Sequence, residues 1–276
     1  NIHRIDWMWA NKAVFDANGI SVPTSWDELN AAAEKLQAAG IIPFAHGGQA
    51  WQDATVFEAV AMGIGGNNYY KNCYVDLKET CLRSETTVKV FDQMRKLQGF
   101  TDEGSPGRDW NVATGMVIEG KAGFQIMGDW AKGEFTAAGK VPGVDYYCAA
   151  TPSNNGYLYN VDSFIFYKTS DPDKQEGQKL LAKLMMGKNF QKVFNLYKGS
   201  IPARLDVPMD EFDKCAKTSN SDIKTAGASG GLVPSFAHGM AQGNTMKAAL
   251  QDVITEHFNS DMSSVDAANA LADSVL

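Results

Sequence analysis

Helical patterns alternate with short β-prone runs along this 276-residue chain, and this alternation restricts the fold class more than any other feature. The clearest unit is TSWDELNAAAEKLQAAG, where Ser25 and Glu28 have the spacing of a capping box and Gly40 ends the helix. One face of this helix carries its apolar residues, Leu29, Ala32, Ala33 and Leu36. The β-prone run IIPFAHG follows, and the pattern predicts an α/β fold.

Further elements continue the alternation. Residues 54–64 predict a buried helix, and SETTVKVFDQMRKLQG predicts an amphipathic one. The runs NIHRIDWMWAN and YLYNVDSFIFYK are typical of strands. More helices are expected near 172–186, 209–217, 245–258 and 264–275. If the chain passes between two lobes, the crossings are expected near 1–10, 150–165 and 199–204.

Charge and apolar run lengths exclude two classes of protein. A net charge of −7 and a pI near 5.1 disfavour a nucleic-acid groove, which needs clustered Lys and Arg. Apolar runs fall short of the roughly 18–20 residues that span a bilayer. The N-terminus lacks the basic and apolar regions of a signal peptide. Its strand-like alternation begins at the first residue without a preceding loop, so we expect that sequence before it is missing.

Four cysteines, Cys73, Cys81, Cys148 and Cys215, occur without a C-x-x-C motif or a Cys/His cluster, so a zinc site is not predicted. Two interpretations fit these four cysteines: they are buried thiols in a reducing compartment, or they form two disulfides in an exported protein. The residues alone leave all three pairings open.

Polar residues beside aromatics or glycines at the ends of elements are the best candidates for a site. These are Gln49, Trp51, Asp129, Trp130, Asn160, Asp162, Lys198 and His238. A sugar pocket needs these types, because indoles stack on the C–H faces of a pyranose while polar side chains bond its hydroxyls.

Each candidate also has a structural interpretation. Trp51 and Trp130 are, taken singly, typical core aromatics, and Asp129 has the position of an N-cap for the following helix. Asn160 and Asp162 are two residues apart and point to one face of a strand. Such a polar pair on an aromatic strand is harder to explain by packing alone.

An enzyme and a partner-binding scaffold are the competing classes. Carboxylate pairs such as Asp129 with Glu134, or Asp53 with Asp162, could cleave a glycosidic bond, but their spacing has no specific signature. The nucleophile-elbow, zinc-protease, P-loop and dinucleotide motifs do not occur. The residues favour a binding protein.

Several long segments carry a family resemblance. VPTSWDELNAAAEKLQAAGIIPFAHGGQAWQDATVFE, RDWNVATGMVIEGKAGFQIMGDWAKGEF, VFNLYKGSIPARLDVPMDEFDKCAK and SFAHGMAQ resemble segments of the extracellular solute-binding proteins of ABC sugar importers (family 1). The similarity runs from end to end, and the branch that it resembles most is the periplasmic glucose/mannose-binding proteins of Gram-negative bacteria.

The resemblance implies two α/β lobes joined by hinge strands, which close over a sugar in the cleft between them. Residues 1–150 and 203–276 would form the second lobe. Residues 151–202 would form part of the first lobe and include the hinge crossings. Family members begin with an N-terminal segment that this chain lacks, so the first lobe is expected to be incomplete.

The resemblance also implies roles for individual residues. Trp130 would be the stacking aromatic, with Asp129 orienting its loop. Hydrogen bonds to the sugar would come from Asn160, Asp162, Lys198 and His238, and further contacts from Trp51, Gln49 and Arg4. Disulfides are expected as Cys148–Cys215 and Cys73–Cys81, as suits an exported protein.

The expected function is to bind a monosaccharide in the periplasm and deliver it to the permease subunits of an ABC importer. Glucose is the first candidate, with mannose or galactose next, and a chemoreceptor is a further candidate partner. We expect a monomer that performs no covalent chemistry and needs no cofactor, metal or nucleic acid. The alternatives are an oligosaccharide-binding protein of the same family and a glycoside hydrolase.

Overall fold

The computed structural model describes residues 1–152 and 156–276. Its strands are β1 Ile2–Arg4, β2 Trp7–Asn11, β3 Ile42–Phe44, β4 Ala122–Ile126, β5 Tyr146–Ala150, β6 Tyr157–Val161 and β7 Leu232–Pro234. The first six helices are α1 Lys12–Ala17, α2 Trp26–Ala38, α3 Ala50–Tyr70, α4 Glu79–Leu82, α5 Glu85–Gln98 and α6 Trp110–Ile118. The others are α7 Ala131–Ala137, α8 Pro172–Met185, α9 Lys188–Lys198, α10 Lys214–Ala228, α11 Asn244–Asn259 and α12 Ser264–Asp273.

The strands form two mixed sheets, which confirms the α/β class. One sheet has the order β3-β4-β2-β5, with β2 antiparallel to both neighbours and β3 parallel to β4. The other has the order β1-β6-β7, with β1 antiparallel and β7 parallel to β6.

Strand β2 shows how the larger sheet is covered on both faces. Met8 and Ala10 belong to the core beneath α2, α3 and α5, whereas Trp7 and Trp9 belong to a second core with α6 and α7. Alternate side chains of a strand point to opposite faces, so this WMWA run separates two apolar layers. The sheet is therefore packed on both faces, and the loops that leave its ends are attached to a buried core.

The predicted start of α2 is confirmed with one detail changed. The Ser25 hydroxyl accepts a hydrogen bond from the Glu28 backbone N–H at 3.1 Å. The Glu28 carboxylate accepts from the Thr24 N–H at 2.7 Å, one residue earlier than a standard capping box requires. Gly40 has φ +73° after the helix, a conformation that glycine adopts without strain.

Three predicted elements have different bounds. The buried helix expected at 54–64 begins earlier, at Ala50, and α3 contains a break at Gly66, where φ is +76° and ψ is 177°, before a π-helical turn at Lys71–Val75. The helix expected near 209–217 begins at Lys214, where Asp213 caps it, and runs on to Ala228. The strand expected through residue 168 ends at Val161, because Val161 pairs with Ile2 and its partner strand ends there.

The three stretches predicted as lobe crossings lie side by side. Strand β1 pairs with β6, and Ile2 forms two backbone hydrogen bonds with Ile201, each 3.0 Å long. The division into residues 1–150, 151–202 and 203–276 stays a prediction, and residues 153–155 of it lie outside the described residues.

Both expected disulfides are present. Cys73 in the π-helical turn is bonded to Cys81 in α4, and Cys148 in β5 is bonded to Cys215 in α10. The second bond attaches α10, which packs on β6 and β7, to the edge strand of the other sheet. Among the described residues, no helix combines the length and apolar character needed to cross a bilayer.

Candidate functional site

A cavity of about 540 Å³ opens where β1, β6, α7, α9 and the loop after β7 approach the start of α3. Six of the eight predicted ligand-binding residues line it: Trp51, Trp130, Asn160, Asp162, Lys198 and His238. The remaining lining residues are His3, Trp110, Gly133, Glu134 and Tyr197. Two predicted residues, Gln49 and Arg4, are not part of the lining.

One side of the cavity, the packed wall, consists of Trp51, Trp130 and His238. The Trp130 and His238 rings are 5.2 Å apart between centroids, and Trp51 lies 6.1 Å from His238 and 6.3 Å from Trp130. A Cβ at Gly128 would lie 2.3 Å from the Trp130 ring, so only glycine allows the indole to fold back over this turn. The wall presents aromatic surface of the kind that stacks on a sugar.

Gln49 lies behind Trp51. Its side-chain oxygen accepts a hydrogen bond from Trp51 Nε1 at 2.8 Å, and its amide nitrogen donates to Asp109 at 2.7 Å. With its N–H already paired, the Trp51 indole has only its rings to offer a ligand. Gln49 therefore orients the packed wall.

Arg4 is buried in the interior and turned away from the cavity. Its guanidinium donates to Asp6 at 3.2 Å and to Asp222 at 2.5 Å, and it lies over the rings of Trp7 and Tyr157. Burial raises the pKa of Asp6, an effect that Arg4 opposes. The structure thus does not bring the expected contact from Arg4 to the site.

His3, the residue before Arg4, lines the cavity instead of Arg4, because neighbouring side chains of a strand point to opposite faces. His3 is buried between two carboxylates: Nδ1 bonds Asp129, and Nε2 bonds Asp162 at 3.0 Å. Burial disfavours the charged ring, but the two carboxylates outweigh it and raise the pKa of His3 to about 9. The hydrogen bond from His3 also holds the pKa of Asp162 well below its usual range.

The N-cap interpretation of Asp129 is wrong. Trp130 occupies the N-cap position of α7, and the Asp129 carboxylate instead accepts from the Arg4 backbone N–H at 3.0 Å and bonds His3. Asp129 thereby attaches the loop before α7 to strand β1. This position is the one expected of a residue that orients the loop of Trp130.

A second part of the lining, the open wall, consists of Asp162, Tyr197 and Lys198. Asp162 has 44% of its side chain exposed and accepts from Asn160 Nδ2 at 3.0 Å, so the two predicted polar residues do share a face. Tyr197 is 77% exposed. Lys198 Nζ forms no hydrogen bond or ion pair within the described part of the chain.

Gly199 brings the open wall close to the loop of Trp130. It ends α9 with φ +92°, and a Cβ there would lie 2.4 Å from the Asp129 carbonyl oxygen. Both the backbone conformation and the close approach require glycine. The KGS segment of the sequence therefore reflects the geometry that places Lys198 at the cavity.

His238 has one paired and one unpaired ring nitrogen. Its Nδ1 lies 2.9 Å from the Ser235 hydroxyl, whereas Nε2 is shielded from solvent and has no hydrogen-bond partner among the described residues. A buried polar atom without a partner costs about 1–3 kcal/mol, which a ligand hydroxyl would recover.

In each carboxylate pair considered for an enzyme, only one member lines the cavity. Asp129 is hydrogen-bonded to His3, and Asp53 is buried against His46 at 2.7 Å, so neither lines the cavity. Glu134 and Asp162 do line it. Within residues 1–152 and 156–276, no cluster of His, Cys, Asp and Glu is suited to a metal ion.

Sequence reasoning missed His3, Trp110 and Tyr197. Trp110 begins α6 after Asp109, an aromatic beside a carboxylate like Trp130 beside Asp129, so the same signal could have found it. Tyr197 immediately precedes the predicted Lys198.

Comparison with known proteins identifies similar sequences. Residues 3–185 match the family model described as bacterial extracellular solute-binding protein. A probable sugar-binding periplasmic protein of Brucella suis is 48% identical over 276 residues, which cover 100% of this chain and 65% of that protein. A protein of the same description from Rhizobium meliloti is 45% identical, with 100% and 66% coverage. The chain thus spans about two thirds of the length of these relatives.

Solved structures share the fold at low sequence identity. A chitin oligosaccharide binding protein has a TM-score of 0.80 at 17% identity, covering 99% of this chain and 68% of that one. The bacterial solute receptor AcbH, described as having an exclusive preference for β-D-galactopyranose, has a TM-score of 0.80 at 19% identity, with 99% and 69% coverage. These likenesses establish the architecture, that of two-lobe solute-binding proteins.

Proposed function

The chain belongs to the bacterial extracellular solute-binding protein family, and on that premise we propose that it binds a sugar in the periplasm and delivers it to the permease of an ABC importer. The description of the Brucella and Rhizobium relatives as probable sugar-binding periplasmic proteins supports this class. The protein would act as a monomer without covalent chemistry, and its closed form could also be recognised by a chemoreceptor.

The observation that carries the proposal is the combination of surfaces in one cavity. Indole rings of Trp51 and Trp130 share the cavity with His238 Nε2 and Lys198 Nζ, two polar atoms that form no hydrogen bond in the described part of the chain. Apolar ring faces with unpaired hydrogen-bonding groups between them match a pyranose, which has C–H faces and hydroxyl edges. We assign stacking to Trp130 and hydroxyl contacts to Asn160, Asp162, Lys198 and His238.

Glucose is the proposed ligand, with mannose and galactose next. One specific observation favours the oligosaccharide alternative: Tyr197, 77% exposed at the cavity, offers a further ring on which a second sugar unit could stack. Solute-binding structures with the same fold include a maltose-bound protein at TM-score 0.72.

We also propose the domain division given above, with residues 1–150 and 203–276 in one lobe and residues 151–202 in the other. The adjacent backbones of β1, β6 and Ile201 would be the hinge. The cavity draws Trp51 and Trp130 from the first of these units and Asp162 and Lys198 from the second. Closure around a sugar would bring the two sets together.

The experiment is calorimetric titration of the complete natural protein with glucose, mannose, galactose and maltose. Saturable one-to-one heat with a monosaccharide, and weaker heat with maltose, is the expected result. Preference for maltose would favour the oligosaccharide alternative, and absence of heat with every sugar would overturn the proposal. Release of product from an aryl glycoside would instead indicate a hydrolase.

A further inference from the structure

Glu58 is a fully buried carboxylate that lies behind His238 and lines no part of the cavity. Three donors surround it: Ser235 Oγ lies 2.6 Å from Oε1, and the Tyr70 hydroxyl and Ala237 N–H lie 2.9 and 3.3 Å from Oε2. Tyr70 acts as donor, because its oxygen already accepts from the Phe236 N–H at 3.2 Å. Three donors with no acceptor suit an ionised carboxylate.

The Ser235 hydroxyl connects this carboxylate to the imidazole of His238. It also lies 3.1 Å from the His238 backbone N–H and 2.9 Å from His238 Nδ1. A hydroxyl has one hydrogen to donate and two lone pairs that accept. Its hydrogen goes to Glu58 at the shortest of the three distances, so both contacts with His238 are accepted by Ser235.

We infer that Glu58, acting through Ser235 and directly across the 3.5 Å between Oε1 and His238 Nδ1, holds His238 as the tautomer protonated at Nδ1, which makes Nε2 a hydrogen-bond acceptor for a ligand hydroxyl. Glu58 and Ser235 are then specificity-determining positioning residues that never touch the ligand. This inference rests on the proposed function for the identity of the ligand as a sugar. The tautomer itself is a property of the unliganded protein and can be tested without any sugar.

Glu58→Gln reverses the direction of this hydrogen-bond chain with little change in shape. The Tyr70 hydroxyl and Ala237 N–H keep the amide oxygen at the Oε2 position, which leaves the amide NH₂ facing Ser235. Ser235 then accepts from Gln and donates to His238 Nδ1, so the proton of the ring moves to Nε2. Ser235→Ala removes the connection through the hydroxyl but keeps Glu58 Oε1 3.5 Å from His238 Nδ1, and it serves as the second variant.

The first readout is ¹⁵N NMR of the ring nitrogens, with the His238 signals identified by their loss in His238→Gln. We expect an Nδ1–H tautomer in the complete natural protein, an Nε2–H tautomer in Glu58→Gln and a mixture in Ser235→Ala. Ser219→Ala, which removes another buried serine hydroxyl that bonds Tyr157 at 2.8 Å, is the control and should leave His238 unchanged. An Nε2–H tautomer or a charged ring in the natural protein at neutral pH overturns the inference, as does an unchanged tautomer in Glu58→Gln.

The second readout uses monofluorinated deoxyglucoses, each with one hydroxyl replaced by fluorine. Fluorine accepts weakly and cannot donate, so the analogue substituted opposite His238 should bind the natural protein about tenfold more weakly than glucose. Glu58→Gln should reduce that discrimination, because its Nε2 donates and fluorine can still accept weakly. Equal discrimination in both proteins contradicts the inference. If no sugar binds at all, the proposed function fails while the NMR result still decides the tautomer.

Discussion

The packed wall and the open wall of the cavity differ in how their side chains are held. Trp51 is fixed through Gln49, and His238 through Ser235, before any ligand arrives. On the open wall, Tyr197 is 77% exposed, and Lys198 Nζ forms no hydrogen bond or close ion pair within residues 1–152 and 156–276. Asp162, the third residue of the open wall, is held by His3 and Asn160. The site thus combines prearranged side chains, which select the shape of a ligand, with two loosely held ones, Tyr197 and Lys198, which adapt to it.

The largest expected effect concerns His3, which joins the loop of Trp130 to the open wall by bonding Asp129 and Asp162. Its folded pKa of about 9 exceeds the ordinary value of 6.5, so the folded state binds the proton more tightly. The stabilisation, about 3 kcal/mol, should be complete below pH 6.5 and be lost as the pH rises through about 9. Chemical denaturation at a series of pH values measures it.

His3→Gln is the control for that measurement. Its free energy of unfolding should be lower at neutral pH and should lack the decline between pH 6.5 and about 9. If the free energy of unfolding of the variant declines in the same way, another group causes the decline. That result would contradict the stabilising role assigned to His3.

Gly199→Ala should disturb the close contact between the end of α9 and the loop that carries Asp129 and Trp130. The added Cβ would lie 2.4 Å from the Asp129 carbonyl, and φ +92° is strained for alanine, so we expect a loss of roughly 2–3 kcal/mol in stability. Gly139→Ala is the matched variant, because Gly139 has φ +69° but open space around its Cβ position, and it should lose only about 1 kcal/mol. Equal melting temperatures for the two variants would mean that the contact with Asp129 is unimportant.

Trp130→Ala and Tyr197→Ala each remove one aromatic ring, the first from the packed wall and the second from the open wall, and the loss of sugar affinity compares the two rings. Loss of the packed indole should weaken binding by on the order of 1–3 kcal/mol, with an unchanged circular dichroism spectrum. Loss of the exposed Tyr197 ring should have a smaller effect on glucose and a larger one on maltose. Titration calorimetry measures both, and equal losses for glucose would remove the distinction between the walls.

Lys198→Gln should give the smallest effect, about a tenfold loss of affinity through one hydrogen bond from a charged donor. Lys192→Gln is the matched control on the same helix, since Lys192 pairs with Glu211 at 2.8 Å and does not line the cavity. Identical titration curves for Lys198→Gln and the natural protein would exclude Lys198 from the site.

The elements that local patterns specify could be predicted from the sequence. The capped start of α2, the amphipathic α5 and the strand–turn that presents Trp130 depend on residues a few positions apart. The strand expected beyond Val161 was wrong, because its end depends on where its partner β1 begins to pair. Pairing between distant segments is not encoded in the local pattern.

The site shows the same limit. Asn160 and Asp162 could be found because their spacing places them on one strand face. Choosing between His3 and Arg4 required knowing which face of β1 meets the cavity, and that follows from the pairing of His3 with Asn160. The role of Glu58 could not be predicted from the sequence. It depends on the hydrogen bond from Ser235, which lies 177 positions away in the chain.

The disulfide between Cys148 and Cys215 joins positions 67 apart and closes a covalent ring, and that ring contains β6, α8, α9 and the exposed residues 162–168. A protease that cuts within those exposed residues would therefore open the ring without releasing a fragment. The nicked protein would run as one band without reducing agent and as two bands with it. The open wall can lose its backbone continuity and still remain tethered to the rest of the molecule.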